Sequence, residues 1–419
     1  MTSTVERPSL ENEVTWFLTP GHPSRAAITE DPFPFYERLR DTDPVHESAA
    51  GPWLVTSYDG VRSLVDDPDW SRDARAARLR SGQVVDRPAY SLIESGMLWR
   101  DPPDHTRLRR LVHKAFTPKA LQTWHARIDD IVTELLDDVG ERSSFDFLHD
   151  LAFKLPAAVI CQMIGMPPER YDDYVGWAAA AIEVQEPGDP QRESLSHADQ
   201  AARDALAYFG ELIDQKRRQP GDDILSMMIE ADHAESTRVT DEEIVGMCLL
   251  LHVAGYETTS YLMTNGMYHL IRNPDQYSLL RDNPDLVPAA VMEMLRYDGP
   301  ARATMIRWAA HDMPVGDKVI PEGASVLGIF GAAHRDPAHF DRPDVFDITR
   351  DETLQFGFGH GVHYCLGVNL AKMEAGAMFQ QLVTRLPRLE IATDELRWKD
   401  SLVTRALLSL PVAWTGGRP

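Results

Sequence analysis

A chain of 419 residues, 43% apolar and 26% charged, can bury a large core of its own, which excludes a disordered segment or a disulfide-stapled miniprotein. Its net charge of −23 speaks against nucleic acid as a partner, because phosphates are drawn to basic surfaces. Three widely spaced cysteines, Cys161, Cys248 and Cys365, exclude a disulfide framework and fit a reducing cytoplasm.

The N-terminal stretch lacks the basic-then-apolar pattern of a signal peptide, and residues 1–25 are expected to be loosely ordered. No run reaches the ~20 apolar residues of a membrane span. The longest, Ile244 to Gly255, soon meets Glu257 and reads as a buried helix. Further elements follow in order. "DPFPFYERLRD" (31–41) reads as a helix and "GPWLVTSY" (51–58) as a strand. From Pro103 to about Pro300 apolar residues recur at helical spacing, over 104–116, 124–140, 196–218 and 284–296. The segment from Thr240 to about Ile271 predicts one helix, opened by a capping-box pair, Thr240 and Glu243, and stopped near Asn273-Pro274. Apolar on nearly all faces in its first half, it belongs at the centre of the protein. Residues 304–330 alternate as short strands with turns at Gly316 and Gly323. Residues 333–355 are irregular, and a last helix is predicted from Cys365 to Leu386. No linker divides the chain, so residues 1–419 are taken as one domain, mainly α with a minor β portion.

"FGFGHGVHYCLG" (356–367) crowds permissive backbone around Cys365. Gly357, Gly359 and Gly361 allow turns closed to bulkier residues. A helix opening at Cys365 favours the thiolate through its free N–H groups and dipole. A nucleophilic cysteine would use His363 as its base, whereas a zinc site needs further ligands at short spacing and none follows. A phosphate loop wants lysine or serine after the glycines. One axial thiolate on haem iron fits best.

The pattern Phe358-Gly359-x-Gly361-x-His363-x-Cys365-x-Gly367 resembles the haem-binding signature of the cytochrome P450 family at every defined position. The resemblance spans about residues 30–412 and implies that family's triangular-prism fold, with a long central helix, a cysteine-ligand loop and haem b. It further implies that Cys365 is the axial iron ligand, with Phe358, Gly359, His363 and Gly367 lining the haem. "EMLR", Glu293 to Arg296, resembles the family's Glu-x-x-Arg pair, which braces the cysteine loop. A third arginine completes that network, either Arg350 or Arg335. "AGYETT" (254–259) resembles the family's acid–alcohol motif: Ala254 and Gly255 give room over the iron, Thr258 hydrogen-bonds dioxygen and Glu257 relays protons. Without the family, Thr258 simply bonds back to a carbonyl one turn earlier. His105 and Arg109, four residues apart, with Arg307 and His363, resemble the propionate partners.

The implied activity is a monooxygenase that places one oxygen atom of O2 on a bulky apolar substrate by hydroxylation or epoxidation, as in polyketide, macrolide or terpenoid biosynthesis. Electrons come from NAD(P)H through a ferredoxin reductase and a ferredoxin. Arg110, Lys114 and Lys372 are candidates for the ferredoxin surface. Leu92, Ile93, Val253, Ala254, Ala303, Thr304, Leu407 and Leu408 are candidates for the pocket, fed by segments near 75–98 and 170–200. Arg302 is left between a structural place and a substrate carboxylate. A cytoplasmic monomer without membrane contact is expected. A peroxide-driven peroxygenase and a haem sensor or carrier are the rivals, and Glu257 with Thr258 weighs against both.

Overall fold

A computed structural model describes residues 8–80, 82, 85–185, 195–234, 239–351, 355–386 and 388–414. Residues 1–7 of the N-terminal segment, and 81, 83–84 and 186–194 of the substrate-access segments, lie outside the described residues.

The helix Asp241–Arg272 is the axis of the molecule. It is 32 residues long, about 48 Å at 1.5 Å per residue. It opens with the expected capping box, in which the Thr240 hydroxyl accepts from Glu243 N–H and the Glu243 carboxylate accepts from Thr240 N–H. Eighteen of its residues are buried, including Met247, Cys248, Met263 and Met267, because helices pack around it. Among them are Lys154–Ile164, Tyr171–Gln185, Pro88–Ser95, Val287–Asp298 and Val368–Arg385. The stretch Phe147–Ile164 has the length and apolarity of a membrane span, but 61% of it is buried against these neighbours.

The β portion sits at one side. A five-stranded sheet runs Val45–His46, Trp53–Val55, Ser325–Gly328, Arg307–Ala309, Trp70–Ser71, so strands from both ends of the chain share it. Trp53–Val55 and Ser325–Gly328 pair in parallel; the other pairs are antiparallel. Gly316 and Gly323, with φ of 59° and 78°, make the turns expected of them.

Two expectations need correction. The N-terminal segment is not loosely ordered after residue 8. Leu10–Leu18 is a helix capped by the Ser9 hydroxyl, and Val14 and Phe17 are wholly buried. The last helix starts at Val368, three residues beyond Cys365, with Gly367 as its N-cap, whose carbonyl accepts from Ala371 N–H at 2.9 Å; Cys365 N–H belongs to the loop and donates to Phe358 O at 2.9 Å. A three-stranded sheet of Ser144–Asp146, Pro411–Trp414 and Leu389–Ile391 escaped the sequence reading, since three- and four-residue strands carry little periodicity.

Candidate active site

The cysteine loop is shaped by its own backbone. Gly359 N–H donates to Phe356 O at 2.7 Å, Tyr364 N–H to Gly361 O at 3.0 Å and Cys365 N–H to Phe358 O at 2.9 Å. Gly359 and Gly361 hold φ near 67° and 66°, the left-handed region that disfavours side chains. At Gly361 a Cβ would also stand 2.6 Å from Val65 O. Burial pushes the Cys365 thiol up, while the Gly367 N–H and the Arg109 charge pull it down.

The brace is fully buried. Arg296 donates to Glu293 through Nε and Nη2 at 2.7 and 2.8 Å, and each side chain is 1% exposed. Arg350 is the third arginine, with Nε 3.4 Å from Glu293 Oε2. Arg335 instead donates to Asp344 and to Tyr297 O. Arg296 Nη1 reaches His334 O at 2.8 Å, and His334 Nε2 accepts Phe356 N–H at 2.7 Å. His334 therefore carries the brace into the cysteine loop. Burial and the neighbouring Arg296 charge lower its pKa to about 3, so it is neutral and free to accept.

Beside the loop, basic groups converge from separate segments. The His105 and His363 rings stand 4.2 Å apart, and Arg109 Nη2 donates to Tyr364 O at 2.8 Å. Arg307 is 6% exposed and gives Nη1 to Trp70 O. The sheet adds Arg72, which the sequence reading missed. Register pairs Trp70 with Ala309 and Ser71 with Trp308, so the next position sets Arg72 against Arg307. Burial, then the Arg307 charge, lowers Arg72 to about 9; burial lowers Arg307 to about 10. Burial, then Arg109 and Arg72, lowers His105 to about 4, and His363 falls further by burial and the same neighbours. Among the described residues, the buried His105 Nδ1, Arg307 Nε and Arg72 Nε have no hydrogen-bond partner. Mutually opposed cations with unspent donors are costly unless an anion joins them.

On the central helix, Thr258 Oγ1 donates to Ala254 O at 2.6 Å, and Ala254 and Thr258 are both exposed within a helix that is otherwise largely buried. Tyr261 hydroxyl and Lys399 Nζ both donate to Glu257 Oε1.

Residues 189–405 match the family described as Cytochrome P450. Cytochrome P450 107B1 of Saccharopolyspora erythraea is 38% identical over 92% of this chain and 96% of its own. A 6-deoxyerythronolide B hydroxylase of the same organism is 34% identical over 91% and 95%. The solved structure of the tirandamycin C-bound P450 monooxygenase TamI is 37% identical, covers 93% of this chain and 98% of its own, and superposes with a TM-score of 0.82.

The chain is a member of the cytochrome P450 family. It is a P450 monooxygenase with the P450 fold, and the family implies a haem cofactor. The residues present fit that group. Haem brings two carboxylates, and Arg72, His105, Arg109, Arg307 and His363 offer unspent or mutually repelled donors for them. A Cβ built on Gly367 meets no protein atom, so this P450 keeps open space beside Cys365.

Other expected positions diverge. Gly255 faces Ile160, where a Cβ would make an ordinary contact at 3.4 Å, and not the open space expected above the site. Of the pocket candidates, Ile93, Val253 and Ala254 keep exposed surface. Leu92, Ala303, Thr304 and Leu407 are buried among protein atoms, and Thr304 binds Gly328 through its backbone and hydroxyl. Leu408 faces outward, 46% exposed. Arg302 is structural, giving Nε to Tyr36 hydroxyl and Nη1 to Ser401 O. Arg110, Lys114 and Lys372 are exposed, and Lys372 Nζ lies 5.5 Å over the Phe358 ring.

Proposed function

We propose that this P450 works as a haem-thiolate monooxygenase with Cys365 as axial ligand, oxidising a bulky apolar natural-product skeleton by hydroxylation or epoxidation. The observation that carries this reading is the basic cluster beside the cysteine loop, in which the buried His105 Nδ1, Arg307 Nε and Arg72 Nε lack hydrogen-bond partners among the described residues. The Arg72, Arg109 and Arg307 guanidiniums would neutralise the two haem carboxylates, the neutral His105 and His363 rings would hydrogen-bond beside them, and the Glu293–Arg296–Arg350 brace holds the loop through His334. Haem held there would supply the dioxygen-activating chemistry, which a thiolate ligand favours. The balance is one substrate, one O2, two electrons and two protons giving oxygenated product and one water. Glu257 would move protons inward from solvent, and Thr258 Oγ1, which donates to Ala254 O, would be the hydroxyl that receives and holds a proton at the site.

Electrons come from NAD(P)H through a ferredoxin reductase and a ferredoxin. Arg110, Lys114 and Lys372 form its docking surface, exposed cations on a chain of net charge −23. The substrate class rests on the kinship with a 6-deoxyerythronolide B hydroxylase and a tirandamycin C-bound monooxygenase, and on the greasy Ile93, Val253 and Ala254 surface. The protein acts in the cytoplasm as a monomer.

The deciding experiment is the absorption spectrum of the reduced protein under carbon monoxide. A red-shifted Soret band of thiolate-ligated haem is expected, and Cys365→Ala abolishes it. A nitrogen-type band in the parent protein refutes the reading. Reversing the charge of Arg110 and Lys114 slows reduction by ferredoxin most at low ionic strength.

A further inference from the structure

The acid of the central helix is held by one donor of that helix, Tyr261, and by one from outside it, Lys399. Tyr261 hydroxyl donates to Glu257 Oε1 at 3.0 Å, and Lys399 Nζ donates to the same oxygen at 2.7 Å. Among the described residues no donor is bonded to Oε2. The ammonium also lies 5.6 Å over the Tyr261 ring, which closes a triangle of three side chains. Both charged partners are partly sheltered, with Glu257 13% and Lys399 23% exposed.

Lys399 sits on a strap near the C-terminus that has little freedom. Lys399 N–H donates to Ala406 O and Leu408 N–H to Arg397 O, both at 2.8 Å, and Trp398 bridges to Leu407. Arg405 pins the strap from beneath. It is 5% exposed, donates to Asp298 and to the Thr29 and Glu30 carbonyls, and stacks on Trp398. An exposed ion pair is usually worth little, because ordering two long side chains offsets the attraction. Here the strap has already ordered the lysine stem, and a tyrosine hydroxyl shares the acceptor. Burial, then the Glu257 charge, pushes Tyr261 up, so the phenol stays a donor throughout.

We propose that Lys399 is the positioning residue for Glu257: with Tyr261 it fixes Oε1 and leaves Oε2 as the oxygen that takes protons from water and passes them toward Thr258. The side-chain contacts of Lys399 are to Glu257 and the Tyr261 ring. Its influence runs through the orientation of one carboxylate, and it rests on the proton-relay reading given above.

The test uses the haem-loaded full chain with a surrogate ferredoxin and reductase, without substrate, and follows NADPH oxidation in H2O and D2O. Lys399→Met slows oxidation about fivefold and enlarges the deuterium effect, Lys399→Arg restores the rate to within about twofold, and Tyr261→Phe lies between. The carbon monoxide band and melting temperature confirm that each variant is folded; where Lys399→Met fails to fold, Tyr261→Phe carries the comparison. A second readout needs no turnover: acetylation of Lys399, read by mass spectrometry on the resting protein, is several-fold faster in Glu257→Gln. Slow Glu257→Gln with unaltered Lys399→Met and Tyr261→Phe overturns the proposal and leaves the relay reading intact. Unaltered Glu257→Gln overturns the relay and the proposal together. Equal acetylation in both proteins removes the ion pair and the proposal with it.

Discussion

Replacing Arg296 by methionine isolates the buried brace. The change keeps the stem but removes two bonds to Glu293 and those to His334 O, Pro343 O and Val345 O. It leaves the Glu293 carboxylate, 1% exposed, facing only Arg350 Nε at 3.4 Å and Asp347 N–H at 2.9 Å. Breaking a buried pair from one side costs about 3–5 kcal/mol, because the remaining charge stays desolvated. With an unfolding entropy of ~2.1 cal/mol/K per residue, a chain of 419 residues has about 0.9 kcal/mol/K, so the melting temperature falls by about 3–6 °C. The His334 link adds a local consequence: with its carbonyl released, the ring that accepts Phe356 N–H is less firmly set, and the cysteine loop loosens. Thermal unfolding followed together by far-ultraviolet circular dichroism and by Soret absorbance reads both effects, and the Soret signal is lost first. Arg281→Gln is the control, since its partner Asp282 is 61% exposed and solvent screens the pair; its melting temperature stays within about 1 °C of the parent. An Arg296→Met protein that melts within about 1 °C of the parent refutes the argument that this pair is a buried, irreplaceable contact.

Arg72→Met speeds haem transfer to apomyoglobin several-fold while far-ultraviolet dichroism stays unchanged, because the lost cation served the carboxylates more than the sheet; an unchanged transfer rate removes Arg72 from the cluster. Gly361→Ala destabilises the haem protein by at least about 1–2 kcal/mol in urea unfolding, since the left-handed backbone resists a Cβ, and the clash with Val65 O adds to this. Burial lowers His252 to about 3 from an ordinary value of 6.5, so the unfolded chain binds its proton first as the pH falls. The stability from a neutral His252 is therefore complete above about pH 6.5 and drains away as pH drops toward 3, about 2 kcal/mol of it by pH 5. His252→Leu accordingly narrows the gap in urea stability between pH 7 and pH 5 by about that amount, and an unchanged gap contradicts the buried neutral ring.

Local chemistry was legible in the sequence where neighbouring residues suffice. The capping box of Thr240 and Glu243, the turns at Gly316 and Gly323, the cysteine loop and the Glu293–Arg296 pair each depend on groups a few positions apart. The same nearness explains Thr258, whose bond to Ala254 O is the local reading of a threonine in a helix. Periodicity failed for the short strands near residues 144, 389 and 411, whose few positions hold no repeat. It also could not tell that Gly255 faces Ile160, because which helix passes closest is a property of packing.

The sequence by itself determined that a thiol in a glycine-rich loop, an acid–alcohol pair in a long apolar helix and a braced Glu-x-x-Arg would occur in one chain. Only the tertiary structure decided which distant side chains complete them. Strand register put Arg72 against Arg307, the brace selected Arg350 over Arg335 and recruited His334, and the strap near the C-terminus delivered Lys399 to Glu257. Each of these pairings closes a loop of many residues, and its energy is set by burial and distance in space, neither of which is written in spacing along the chain.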